Sequence, residues 1–221
     1  MRLTDRLRHI RERRRILASR IDAFAHFEEW EETCVPSYLH PNRAAAGVAW
    51  WRLFAAVDLA SEHVAWNRVL DFGASVGELG LLLPSTASYE FIEMEESAAS
   101  ALMQTHPDAI RHTLQSAPDG AFSCIFALDA LEHNTDYAGL LEQLSHKLAP
   151  GGVFVMSGPT ETRLYKLGRK IARFGDHYHE TDIYAIEDAA REIMTRVDVT
   201  TLPPVASLFR ISAWRRDGSA G

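Results

Sequence analysis

Val69-Leu70-Asp71-Phe72-Gly73-Ala74-Ser75-Val76-Gly77 places an acid near the end of an apolar run and follows it at once with a glycine turn. A second apolar run, Tyr89-Glu90-Phe91-Ile92-Glu93, ends in another acid 22 residues beyond Asp71. Glycines let a backbone come close to a ligand, and a carboxylate about 20 residues further on can accept hydrogen bonds from ribose hydroxyls. These residues suit the holding of a nucleoside-bearing ligand. A third group, Asp129, Glu132 and His133, follows the apolar run 122–128. His133 has the intrinsic pKa of a general base; the alternative is a histidine that caps or orients the next helix. Asp176-His177-Tyr178-His179-Glu180 resembles a metal cluster at first glance. A His-x-His pair without a second pair of ligands is weak support for one, so no metal is expected and the segment reads as pocket lining or plain loop.

The elements that must position these groups alternate. Strand-like runs occur at 68–72, 89–93, 122–128 and 153–157, with helix-like stretches between them. In the clearest, Tyr137, Leu140, Leu141, Leu144 and Leu148 fill one face before Pro150-Gly151-Gly152 stops the pattern. Alternating strands and helices predict a parallel sheet with right-handed crossovers. Two last runs, 193–200 and 208–214, flank Pro203-Pro204 and predict an antiparallel pair at the sheet edge.

The N-terminal part differs in character. Leu3, Leu7, Ile10, Leu17, Ile21 and Phe24 recur at helical spacing, with Arg14 in the one missing position. Residues 28–43 read as a solvated helix end and a loop, and 44–59 as an apolar helix with Trp50, Trp51, Leu53, Phe54 and Val57 as core candidates. The expected division is a helical extension over 1–60 and a ligand-binding domain over 61–221.

Residues 1–20 carry eight arginines against two acids, a net of +6, which leaves −13 for the remainder of a chain whose total is −7. An acidic body argues against a nucleic-acid surface. The basic helix packs on the domain or on a second copy of the chain, or lies against an anionic membrane face. No apolar run approaches the roughly 18 residues a membrane span needs, and no signal peptide is indicated. Two cysteines make neither a disulfide framework nor a zinc site. A cytoplasmic home is expected, with the inner membrane face as the alternative for a bound helix.

The set Leu70-Asp71-Phe72-Gly73-x-Ser75-x-Gly77, Glu93, Ala127-Leu128-Asp129-Ala130-Leu131-Glu132-His133 and Leu148-Ala149-Pro150-Gly151-Gly152 resembles the class I S-adenosylmethionine-dependent methyltransferases. The likeness is strongest to the type 11 subgroup that methylates small molecules such as quinone precursors. It implies a Rossmann-like, doubly wound α/β fold with a mostly parallel seven-stranded sheet and an antiparallel C-terminal pair. It also implies S-adenosylmethionine as cofactor and a small-molecule acceptor, an oxygen nucleophile such as a quinone precursor, a sugar or a lipid-linked glycan.

By the same resemblance the 71–77 turn passes under the methionine part of the cofactor. Asp71 takes its amino-acid end, and Gly73 and Gly77 permit close approach. Glu93 holds both ribose hydroxyls and Met94 packs on the adenine. Asp129 contacts cofactor or acceptor, and His133 serves as base. The chain departs from the family at Ser75, which replaces a glycine and offers a hydroxyl, and at Leu114-Gln115-Ser116-Ala117. There Gln115 or Ser116 must stand in for the acid that holds the adenine amino group. Residues 163–174 carry an apolar stripe flanked by five positive charges and suit a lid, with His177, Tyr178 and His179 lining the acceptor pocket. The rival to an enzyme is a catalytically silent module with the same fold; Asp71 before the turn argues against a nicotinamide dehydrogenase.

Overall fold

The structure, a computed structural model, describes residues 1–23, 25, 27–31, 33–160, 182–203 and 207–216, with Phe27 as backbone alone. Helices α1 (Leu3–Arg20), α2 (Phe27–Trp30), α3 (Val35–Leu39) and α4 (Arg43–Ser61) come first. Strand β1 (Arg68–Phe72), a 3-10 turn at Gly80–Leu82, β2 (Ser88–Ile92), α5 (Glu96–Thr105) and β3 (Ile110–Arg111) follow. The chain continues through β4 (Phe122–Leu128), α6 (Tyr137–Lys147) and β5 (Leu148–Pro159) to α7 (Ile183–Arg191), β6 (Met194–Leu202) and β7 (Phe209–Arg216).

The strands form one seven-stranded sheet in the order β3-β2-β1-β4-β5-β7-β6. The pairs from β3 to β5 are parallel, and β7 runs antiparallel to both β5 and β6. The expected Rossmann-like, doubly wound architecture is the one observed. Parallel strands covered on both faces must be apolar throughout, and Val69, Leu70, Ile125, Phe126, Phe154 and Val155 are all fully buried. After β3 the chain returns to the other side of β1, so the connections diverge between β1 and β4. Open α/β sheets bind ligands at that crevice. Phe72 pairs with Ile92 and with Ala127, which levels the ends of β1, β2 and β4. The turn after β1, Glu93 and Asp129 thereby share one edge.

Each face of the sheet has its own core. On one, Trp50, Leu53, Ala56 and Val57 of α4 meet Val69, Phe126 and Val155. On the other, Leu141 and Leu144 of α6 and Ile186 of α7 meet Leu70, Ile125 and Phe154. Side-chain caps fix three of the helix starts: Asn42 accepts from Ala44 and Ala45 amides, Asp136 from Gly139 and Asp182 from Ala185.

Three local expectations are corrected. Residues 28–43 are not a solvated end and loop, because they contain α2 and α3, and Val35, Pro36 and Tyr38 are buried. The reason is tertiary: the Tyr38 ring lies 4.9 Å from that of Trp50, and its carbonyl accepts from Trp50 Nε1 at 3.3 Å. Leu148 belongs to β5, not to the helix before it, and the Pro150-Gly151-Gly152 stretch lies inside the strand's span. Finally, α1 does not pack along its apolar stripe throughout. Leu17 and Ile21 are buried, whereas Leu3 and Leu7 are 61% and 48% exposed. The inward face instead carries arginines: Arg6 pairs with Asp58, Arg13 with Glu78, and Arg14 donates to the carbonyls of Tyr38 and His40. Phe24 lies outside the described residues.

Candidate active site at the ends of β1 and β4

The turn after β1 is built from left-handed backbone. Gly73, Ser75 and Gly77 have φ of 70°, 50° and 79°. Its start is tied to β2, since the Gly73 and Ala74 amides both donate to the Ile92 carbonyl. Both glycines are also required by packing. A Cβ at Gly73 would stand 2.6 Å from that of Ala130, and one at Gly77 would stand 2.7 Å from Leu102 Cγ. The turn is thus wedged between the segment after β4 and helix α5.

Asp71 lies beneath this turn. It is buried, and the Tyr89 hydroxyl donates to its Oδ2 at 2.7 Å. Burial pushes its carboxyl up to about 7, with the Tyr89 hydrogen bond opposing. Ser75 is buried with its Oγ accepting from the Cys34 amide at 3.3 Å, so the N-terminal segment reaches the turn directly. Glu93 stands one residue past β2. Its carboxylate accepts from the Ser75 amide at 2.6 Å and the Glu95 amide at 2.9 Å. Burial raises its pKa, and those two backbone bonds work against the rise. Met94, beside it, is 88% exposed.

Asp129 is the first residue beyond β4 and has a φ of 51°, unusual for a non-glycine. Ser157 Oγ donates to its Oδ1 at 2.7 Å, and the Arg52 guanidinium pairs with its Oδ2. Arg52 projects from α4 with a side chain only 4% exposed. Its Nη2 contacts Cys34 Sγ at 3.6 Å, and its Cζ lies 5.3 Å from the centre of the Phe209 ring. Its Nε is buried with no hydrogen-bond partner among the described residues. Burial works against the guanidinium's charge and Asp129 outweighs it, so Arg52 stays protonated. Burial also pushes the Cys34 thiol up to about 11, which keeps it neutral. Cys34, Tyr38, Leu53, Asp71, Gly73, Ala74, Ser75, Leu79 and Leu128 line a cavity of about 10 Å³ in the crevice, room for roughly one water.

The structure therefore brings Asp71, Gly73, Ser75, Gly77, Glu93 and Asp129 to one edge. His133 is exposed in the segment after β4 and Glu132 is buried. Gln115 and Ser116 are exposed after β3. The Ser116 hydroxyl is engaged locally, accepting from the Thr113 amide at 2.9 Å, whereas Gln115 makes no hydrogen bond among the described residues. His177, Tyr178, His179 and the 163–174 stripe lie outside the described residues. Arg52, Cys34 and Tyr38 are at the site and were missed from the sequence. The available signal was the single charge in Trp50-Trp51-Arg52-Leu53-Phe54, because an arginine amid core residues needs a buried partner.

Comparison with known proteins agrees with this geometry. No curated protein matches the sequence. A Pyrococcus horikoshii OT3 protein superposes with a TM-score of 0.66 at 14% identity, over 82% of this chain and 96% of that one. The N-methyltransferase NodS from Bradyrhizobium japonicum WM9, in complex with S-adenosylhomocysteine, gives 0.63 at 16% identity over 77% and 88%. The magnesium protoporphyrin IX methyltransferase of Synechocystis PCC 6803, with the same molecule bound, gives 0.64 at 13% over 88% and 95%. At such identities the likeness establishes the fold. The family described as "Methyltransferase domain" matches residues 10–196, and the chain belongs to that family, as an S-adenosylmethionine-dependent methyltransferase.

Proposed function

We propose that the chain methylates a small molecule at an oxygen nucleophile, with residues 61–221 as the catalytic domain and residues 1–60 roofing its cofactor crevice. The observation that carries the assignment of the site is Arg52: a buried, protonated guanidinium beside the glycine turn, with its Nε unpartnered. A buried donor without a partner is costly, and a carboxylate is the group such a fork accepts best. Arg52 would hold the amino-acid end of S-adenosylmethionine in a role the sequence had suggested for Asp71. Asp71 is sealed against Tyr89 and acts from beneath, supporting the turn. Glu93 would exchange its backbone partners for the ribose hydroxyls, with Met94 against the adenine and Gln115 at its amino group.

Bound cofactor supplies a sulfonium methyl that is already activated, so the protein's task is orientation and desolvation. Asp129 anchors Arg52 at the mouth of the crevice, and Ser157 fixes that carboxylate's direction. His133 would take the acceptor's proton; His177, Tyr178 and His179 belong to the proposed acceptor side. The acceptor proposed is a quinone precursor, a sugar or a lipid-linked glycan. Arg2, Arg11, Arg15 and Arg20 are exposed and make no ion pair among the described residues, a face suited to an anionic surface; no described helix is long and apolar enough to cross a membrane.

Calorimetric titration with S-adenosylhomocysteine tests the site. Micromolar binding by the native chain, lost in Glu93→Ala and in Arg52→Met, supports it; normal binding by both folded variants rejects it. Transfer of labelled methyl to phenolic, sugar and amine acceptors then decides the nucleophile. Labelling of the amine alone would sink the oxygen assignment.

A further inference from the structure

We propose that α1 is a working part of the cofactor site: Arg13 positions the glycine turn through Glu78, so that docking of α1 and occupancy of the crevice reinforce each other. The inference rests on the cofactor assignment above. Glu78 directly follows Gly77, the last left-handed residue of the turn. Its side chain is fully buried, and Arg13, 65 residues earlier in the chain, grips it with two nitrogens. Nε donates to Oε2 at 2.9 Å and Nη2 to Oε1 at 2.7 Å. A planar two-pronged pair restricts direction as well as distance.

The carbonyl just before Glu78 is held as well: His106 Nε2 donates to the Gly77 carbonyl at 2.8 Å. Gly77 and Glu78 are thus tied to the end of α5 and to α1 respectively. Removing the guanidinium while α1 stays docked leaves a buried carboxylate unpaired, which is strongly unfavourable. The same extension meets the turn a second time, where the Cys34 amide donates to Ser75. Arg14 ties α1 to that segment through the carbonyls of Tyr38 and His40. Helix α1, the roof over the crevice and the turn therefore form one connected unit. Coupling between two parts of such a unit is reciprocal: what fixes α1 favours ligand, and ligand fixes α1.

Two measurements on the full chain test this. In calorimetric titration with S-adenosylhomocysteine, well below the unfolding transition, Arg13→Met should weaken binding about tenfold. Arg6→Met, which removes the Arg6–Asp58 anchor of the same helix away from the turn, should change it less than twofold. The double variant Arg13→Met, Glu78→Met leaves no buried charge and keeps the protein folded if Arg13→Met alone does not; it too should bind about tenfold more weakly. Equal affinity in the double variant and the native chain, or equal weakening by Arg6→Met, overturns the proposal. In the native chain, hydrogen exchange in residues 3–20 should slow when S-adenosylhomocysteine binds; unchanged exchange despite saturation also overturns it. Failure of the native chain to bind at all refutes the cofactor assignment instead, which keeps the two failures apart.

Discussion

Two glutamates with fully buried side chains, Glu78 and Glu187, are neutralised in opposite ways. Among the described residues Glu78 has one ion-pair partner, Arg13, delivered by α1. Glu187, on α7, is met by Arg210 at 2.8 Å, Arg196 at 3.0 Å and Arg191 at 3.5 Å. Three cations around one buried anion make a redundant brace, in which any one can leave and the charge remains compensated. One cation makes a latch. The crevice edge has two such latches, Arg13 on Glu78 and Arg52 on Asp129, and Tyr89 holds Asp71 there by a single hydrogen bond. The β6–β7 side holds one such brace, in which Arg196 of β6 and Arg210 of β7 meet Glu187. A single-partner contact passes the loss of its partner straight to the buried acid, whereas a redundant one absorbs it.

The largest contrast should come from cutting one arm of each. Arg13→Met leaves Glu78 buried and unpaired and should cost about 3–5 kcal/mol of stability. Arg196→Met leaves Glu187 with Arg210 and Arg191 and should cost about 1 kcal/mol. Urea denaturation of the two variants side by side measures the difference, and equal losses would erase the distinction between latch and brace. Gly73→Ala comes next. It forces a side chain into left-handed backbone and against Ala130, for an expected cost of about 3 kcal/mol, together with loss of S-adenosylhomocysteine binding.

Asp71 gives a pH signature peculiar to the crevice edge. Its folded pKa is raised, to about 7, chiefly by burial. The native state therefore holds this proton more tightly than the unfolded chain does. The stability it confers is present at low pH and is lost as pH rises from the ordinary carboxylate range to about 7. Asp71→Asn removes the penalty while keeping an acceptor for the Tyr89 hydroxyl. It should be more stable than the native chain by about 2 kcal/mol near pH 8 and no more stable near pH 4. Thermal melts at both pH values check this, and a variant less stable at the higher pH would show that the Asp71 anion is needed.

How much of this could be read from the sequence depends on whether a feature is local. The bounds of β1 and β4 follow from mostly apolar runs ending at a glycine turn or an acid. The parallel direction of the strands from β1 to β5 follows from strand–helix alternation. Asp71, Gly73, Gly77, Glu93 and Asp129 stand at strand ends, where spacing alone locates them. The partners do not follow. Nothing near Glu78 announces Arg13, 65 positions away, and Arg52 is concealed within an apolar helix that reads as core. The segment at 28–43 looked solvated because its burial depends on Trp50 and Arg14, both in other elements.

The smallest effect should lie at the other end of α4, where His63 Nε2 meets Asp198 Oδ2 at 2.8 Å on β6. The geometry rivals that of the latches, but both side chains reach solvent, being 22% and 33% exposed. Solvent screens such a pair, and its worth is below about 1 kcal/mol. The hydrogen bond from His63 is the first cause holding the Asp198 carboxyl below its usual value. Its contribution is therefore present above the ordinary carboxylate range and lost as pH falls through the lowered pKa. His63→Ala should lower stability by less than about 1 kcal/mol near pH 7, by less still near pH 3, and leave S-adenosylhomocysteine affinity unchanged. A loss as large as that in Arg13→Met would mean that hydrogen-bond length, and not burial with a single partner, separates the two ends of the molecule.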